Sequence, residues 1–144
     1  MKVREIIRLD IPSSSEYVGV VRQTVEGIAR RLSFSPDEIE DVKLAVGEAC
    51  TNAIKHGVRH DARITIRYTI CPDGLEIEVR NGVTTCKAPE VASCPPDPSA
   101  MNEGGLGLYL MQTLMDEVEL SWEPGLVIVR MLKRTPQSRV PLGS

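Results

Sequence analysis

Asp41–Gly57, DVKLAVGEACTNAIKHG, is the stretch from which the rest of the chain is read. Within it Glu48, Asn52 and His56 recur at every fourth position. A four-residue step along an α-helix turns about 400°, so the three side chains form one stripe that drifts only ~40° per step. Val42, Ala45, Val46, Ala49, Cys50, Ala53 and Ile54 fill the neighbouring faces at helical spacing, as in a helix packed into a core. The polar stripe then looks into a site or into solvent. Solvated helix faces are usually rich in Lys and Glu, whereas Asn52, Gly47 and Thr51 are all poor helix formers. Helix stability alone does not account for them.

Working outward, Ser35-Pro36-Asp37-Glu38 is a helix start, with an N-cap serine, a proline at the first helical position and a glutamate placed to complete a capping box. The central helix is expected from Pro36 to Gly57, the glycine suiting the left-handed residue that closes a helix. Upstream, Lys2–Ile11 alternates apolar and charged residues and reads as a strand ending before Pro12. Ser14 or Ser15 caps a helix running to about Leu32, its apolar side carrying Val18, Val21, Val25, Ile28, Ala29 and Leu32. Arg22, Glu26 and Arg30 form the opposite, solvated row. Downstream, Ala62–Ile70 and Leu75–Arg80 alternate on either side of Pro72-Asp73-Gly74, the pattern of a hairpin.

From Asn81 to Gly105 the periodicity disappears, and Pro89, Pro95, Pro96 and Pro98 interrupt it. A long structureless segment inside a compact domain is usually a lid or a binding segment, and a lid is expected over about 82–105. Leu106–Met115 resumes helical spacing, and Glu117–Trp122 and Leu126–Leu132 make a second hairpin around Glu123-Pro124-Gly125. Residues 134–144 read as a flexible tail, leaving one domain over 1–133. Helices segregated from runs of antiparallel strands predict an α+β two-layer sandwich, with a mixed, mostly antiparallel sheet covered on one face by helices.

Composition excludes several classes. Across 144 residues, 42% are hydrophobic and 26% charged, so the chain is neither disordered nor fibrous. Aromatics at 3% give no stacking platform for single-stranded nucleic acid, and a net charge of −3 argues against a phosphate-tracking surface. Direct nucleic-acid binding is not expected. Cys50, Cys71, Cys86 and Cys94 form no C-x-x-C pair, so free thiols are expected, with Cys50 a small core residue. Neither a signal peptide nor a membrane-spanning run stands out, and the expected compartment is a reducing cytoplasm without membrane attachment.

Asn102-Glu103-Gly104-Gly105-Leu106-Gly107-Leu108 sits where the lid enters a helix. Glycines there let backbone N–H groups approach a ligand, and the positive end of the helix dipole favours an anion such as phosphate. Such glycines also occur for purely steric reasons. The stretch matches neither the Rossmann fingerprint nor the P-loop. Combined with Glu48 and Asn52 it supplies an acid/base group, an oxygen ligand for Mg²⁺ and a phosphate cradle, the needs of nucleotide phosphoryl transfer.

Glu48-Ala49-Cys50-Thr51-Asn52-Ala53-Ile54-Lys55-His56-Gly57 resembles the N box of the superfamily that holds gyrase, the heat-shock chaperone ATPases and sensor histidine kinases. With Glu103–Met111 and Met115-Asp116-Glu117-Val118, the chain from its first strand to about Lys133 is similar to the bacterial anti-sigma-factor serine kinases. The resemblance implies a histidine-kinase-like ATPase (Bergerat) fold that uses ATP and Mg²⁺. It implies Glu48 as general base and Asn52 as Mg²⁺ ligand. Asn52, His56, Asn81, Gly82, Gly104, Gly105, Leu106, Gly107 and Leu108 would line the nucleotide site, with Gly105 and Gly107 against the phosphates. It further implies a homodimer that holds a sigma factor inactive and phosphorylates a serine on a small antagonist protein.

The chain departs from that family at Val79–Thr85, where an aspartate and two glycines, D-x-G-x-G, typically recognise adenine. Either Arg80 or Asn81 takes the aspartate's place, and only Asn81 offers a carbonyl acceptor. That departure motivates the alternative of a regulatory binding module with a weakened nucleotide site. An isolated catalytic domain of a sensor histidine kinase fits less well, because no helical dimerisation region is evident.

Overall fold

The computed structural model describes residues 4–56, 63–82 and 102–136. In chain order they form β1 (Glu5–Pro12), a short 3-10 turn (Ser15–Tyr17), α1 (Val18–Ala29), α2 (Pro36–His56), β2 (Arg63–Cys71), β3 (Gly74–Gly82), α3 (Asn102–Leu114), β4 (Glu117–Glu123) and β5 (Leu126–Arg134). Among the described residues no helix is long and apolar enough to cross a membrane.

The strands make one five-stranded sheet in the order β1-β2-β3-β5-β4, and every neighbouring pair is antiparallel. The sheet is therefore not mixed. The inward row runs Ile11, Ile64, Asn81 and Val127 across four strands, then Leu9, Ile66, Val79 and Val129 beside it. Ile64, Ile66, Tyr68, Leu75, Ile77 and Met131 are fully buried there against Val21 and Val25 of α1, Val42, Val46 and Ala49 of α2, and Met111 of α3. Burying a side chain of this size contributes roughly 1.5–3 kcal/mol, so the helix layer is held chiefly by this face. The buried Tyr68 hydroxyl donates to the Val21 carbonyl at 3.0 Å, joining β2 to α1.

The capping box forms as expected: Glu38 N–H donates to Ser35 Oγ at 3.1 Å, and Ser35 N–H donates to Glu38 Oε1 at 2.8 Å. The start of α1 differs, because Ser14 makes no side-chain cap and the 3-10 turn precedes the helix. α1 stops at Ala29, where Arg31 and Leu32 N–H groups switch to i−3 carbonyls. Leu32 still packs on the core. β1 runs through Pro12, tolerated because β1 is an edge strand whose outer N–H groups need no partner. β3 and β5 each extend two residues beyond the alternating pattern, to Gly82 and Arg134. α3 starts at Asn102, four residues before Leu106, so 102–105 belong to a helix and Gly82 to a strand, not to a lid. Gly57, the remainder of the expected lid and residues 137–144 of the expected tail lie outside the described residues.

Two polar ties orient the helices. Glu26 of the solvated row reaches Lys43 of α2 at 2.9 Å as well as Arg30 at 2.5 Å, so that row also clamps α1 to α2. The hydrogen bonds from Lys43 and then Arg30 hold the Glu26 carboxyl below its ordinary range. Buried Lys133 of β5 donates its ammonium to the Leu114 carbonyl at 2.6 Å, satisfying the C-terminal end of α3 where the helix dipole favours a cation.

Gly74 begins β3 directly after the two-residue Pro72-Asp73 loop, and a Cβ there would lie 2.5 Å from the Lys133 carbonyl oxygen and 3.0 Å from Arg134 Cα. Both obstacles are backbone of a central strand pair. Gly74→Ala is expected to destabilise the fold by about 2 kcal/mol or more, read as a lower urea midpoint at unchanged slope.

Candidate functional site

α2 is buried through Ala45, Val46, Ala49 and Cys50, which leaves Glu48 and Asn52 half-buried on the side toward α3. α3 meets them with Gly107. A Cβ on Gly107 would fall 2.8 Å from Glu48 Oε1, 3.4 Å from Asn52 Nδ2 and 3.5 Å from Asn52 Oδ1. Only a residue without a side chain lets the α3 backbone come this close to both groups. The structure thus joins three expected site residues, distant in sequence, at one point.

The other expected residues take different places. Gly104, Gly105 and Leu106 lie in the first turns of α3, inside the helix and not ahead of it. Leu108 is half-buried against the core and is a packing residue in its contacts. His56 is the last residue of α2, and its side chain lies outside the described residues. Gly82 ends β3.

Gly47 and Thr51, the other poor helix formers of α2, do not belong to this cluster. A Cβ on Gly47 would meet Arg22 Cδ at 3.4 Å, so this glycine seats α1 across α2. Exposed Thr51 donates its hydroxyl to the Gly47 carbonyl at 2.8 Å. Cys50 is fully buried, and burial pushes its thiol up to about 12, so it stays protonated at neutral pH and is a core residue as expected.

Between Arg80 and Asn81 the pleat decides. Asn81 continues the inward row of Ile77 and Val79 and is 7% exposed, whereas Arg80 points to the opposite face and donates from Nε to Glu78 at 3.2 Å. Asn81 Nδ2 donates to the Ala53 carbonyl at 3.2 Å. That carbonyl belongs to the last turn of α2. Asn81 therefore ties β3 to the end of the helix that carries Glu48 and Asn52. An aspartate, which has no donor when ionised, cannot make this bond. The sequence alone gave no sign of this tie, although strict alternation from Ile77 already put Asn81 on the inward face.

Among the described residues no group of three or more His, Cys, Asp or Glu is placed to hold a metal. The residues present nevertheless fit a Mg²⁺ brought in by a nucleotide, which takes most of its ligands from phosphate and water and asks the protein for one or two oxygens. Asn52 Oδ1 and the Glu48 carboxylate are such oxygens, side by side at Gly107.

Residues 11–133 match the family described as the histidine kinase-like ATPase domain. The chain is 39% identical to the serine-protein kinase RsbW of Bacillus licheniformis, the alignment covering 99% of this chain and 94% of that protein. It is 40% identical to the RsbW of Bacillus subtilis, over 94% of this chain and 89% of the relative. A crystal structure of the RsbU and RsbW domains of a Mycobacterium tuberculosis protein superposes with a TM-score of 0.67 at 15% identity, over 90% of this chain and 32% of that one. The SiaB–SiaC complex of Pseudomonas aeruginosa gives 0.62 at 18% identity, over 88% of each chain. At such identities the likeness is one of fold.

Gly107→Ala separates steric from structural roles at this cluster. Its Cβ meets only side-chain ends, and alanine is favoured over glycine within a helix by up to ~1 kcal/mol. The variant is expected to melt no lower than the natural chain while shifting the Asn52 side-chain amide resonances in a nitrogen–proton correlation spectrum.

Proposed function

We infer the activity from one premise: this chain belongs to the histidine kinase-like ATPase domain family, among the serine-protein kinases named RsbW. It is an ATP-dependent serine protein kinase, and the observation that carries this reading is the meeting of Glu48, Asn52 and Gly107 at one point. Glu48 is the general base, taking the proton from the serine hydroxyl as its oxygen attacks the γ-phosphorus and the bond to the β-phosphate oxygen breaks. Asn52 contributes its amide oxygen to Mg²⁺, which neutralises phosphate charge when bound. Gly107, with Gly104 and Gly105 in the preceding turn, lets the phosphates approach backbone that any Cβ would shield. His56 and Leu106 complete the walls of the nucleotide site, while Leu108 packs on the core and Gly82 turns to the other face of the sheet.

Asn81 recognises the base. With its amide nitrogen engaged by Ala53, its oxygen is the acceptor left for the amino group that adenine carries at C6, where guanine carries a carbonyl oxygen. The protein acts as a cytoplasmic homodimer that holds a sigma factor inactive and phosphorylates a serine on a small protein that antagonises this anti-sigma activity. The second reading, a regulatory module that captures its partner without nucleotide, is favoured by one observation only, the asparagine at the adenine position. ATP-insensitive capture of the sigma factor would support it.

Calorimetry and phosphotransfer assays test the enzyme reading. Glu48→Gln is expected to leave ATP affinity within about threefold and to lower transfer to the antagonist by roughly 10²–10⁴-fold, the worth of a positioned base. Asn52→Ala is expected to abolish Mg²⁺-dependent ATP binding. Failure of the natural chain to bind ATP at millimolar nucleotide and Mg²⁺ would sink the proposal.

Asn81→Asp has two expected effects. Placing a carboxylate against the Ala53 carbonyl costs about 1–3 kcal/mol of stability in a chemical-denaturation series. The natural protein is expected to prefer ATP to GTP in competition titrations, and the variant to keep that order.

A further inference from the structure

The face of the sheet away from the helices carries a hollow of about 170 Å³ lined by Arg8, Arg63, Thr65, Arg67, Arg80, Gly82 and Leu126. Three of the strands, β1, β2 and β3, supply its four guanidinium groups. Arg8 and Arg67 are direct cross-strand partners, and Thr65 stands opposite Arg80. Like charges directly opposite one another are destabilising in a sheet, and the internal compensation is thin. Asp10 lies 3.9 Å from Arg8 and also accepts from Thr65 at 2.6 Å. Glu78 is shared, 3.2 Å from Arg80 and 3.9 Å from Arg67. Arg63 has no ion pair among the described residues. Four guanidinium groups thus meet two carboxylates, a surplus of two positive charges on a chain whose net charge is −3.

We propose that this arginine hollow on the open face of the sheet is a docking site for an acidic, extended segment of a partner protein. Its geometry selects that occupant over a lone anion. Arg8 and Arg67 face each other on adjacent strands ~4.8 Å apart, Arg80 stands level with Thr65 about 7 Å along the strands, and Arg63 about 7 Å further, so the levels step at the spacing of same-side carboxylates on an extended chain. Arginine forks pair bidentately with carboxylates, and the hollow is half open to solvent, which admits a chain lying along it. Half-buried Leu126 gives the segment an apolar contact at one end. The site lies on the face opposite Glu48 and Asn52, so it leaves the nucleotide cluster open and stands independently of the kinase reading.

Fluorescence anisotropy with a fluorescein-labelled, glutamate-rich decapeptide tests it, with the glutamine version of the same peptide as control. The acidic peptide is expected to bind, the glutamine peptide not to bind, and the affinity to fall as salt rises. Arg63→Gln with Arg80→Gln is expected to weaken binding about tenfold or more at an unchanged melting temperature, and Arg8→Gln with Arg63→Gln to do the same without touching the Glu78 pair. The proposal is overturned if both double variants bind as the natural chain does. It is also overturned if inorganic phosphate displaces the peptide at equal concentration, marking a small-anion site, or if the substitutions dissociate a dimer in sedimentation, marking a face covered by a second copy.

Discussion

The placement of Glu48 and Asn52 against α3 depends on a side chain that is absent, since the space a Cβ would take at Gly107 is where they present their polar atoms. α2 is committed to the core by Ala45, Val46, Ala49 and Cys50 and cannot retreat without opening cavities in close-packed apolar contacts. α3 is held from its other end by Lys133 and from below by Met111 and Met115. With both helices seated, glycine at the contact is the only residue that leaves two functional groups half-buried and still within reach. The candidate chemistry is thus a by-product of how two helices share a sheet.

Asn81 shows how one polar residue serves both fold and site. Placed in an apolar row, it is tolerated because its amide meets a carbonyl in the last turn of α2. The same bond positions the end of the helix stripe over the sheet and orients the remaining amide oxygen. An ionised acid at this position could not donate to Ala53. Asparagine in place of an ionised acid here therefore exchanges a charge for a structural tie.

Much of this was legible in the chain. The Ser35–Glu38 capping box, the 3.6-residue rhythm of α2, and the alternation of β2 and β3 are local signals, each decided within a few residues by backbone hydrogen bonding and side-chain direction. What misled was also local. The serines at 14 and 15 suggested a cap that a 3-10 turn replaced, and the glycines at 104 and 105 suggested a loop where tertiary packing carries the helix through. Gly47 and Thr51 drew attention as site residues because low helix propensity does not say which neighbour a position faces.

By itself the sequence determined the elements, the α+β layering and the identity of the Glu48 and Asn52 stripe, because periodicity and capping are properties of a single segment. Only the tertiary structure decided that Gly107 closes on that stripe, that Asn81 and not Arg80 faces the helices, and that four arginines gather on the opposite face. Those are contacts between residues far apart in the chain, set by strand register and helix seating. A one-residue shift in pairing would exchange the two faces of β3, and no local signal in Val79-Arg80-Asn81-Gly82 resists that shift as strongly as the buried row it joins.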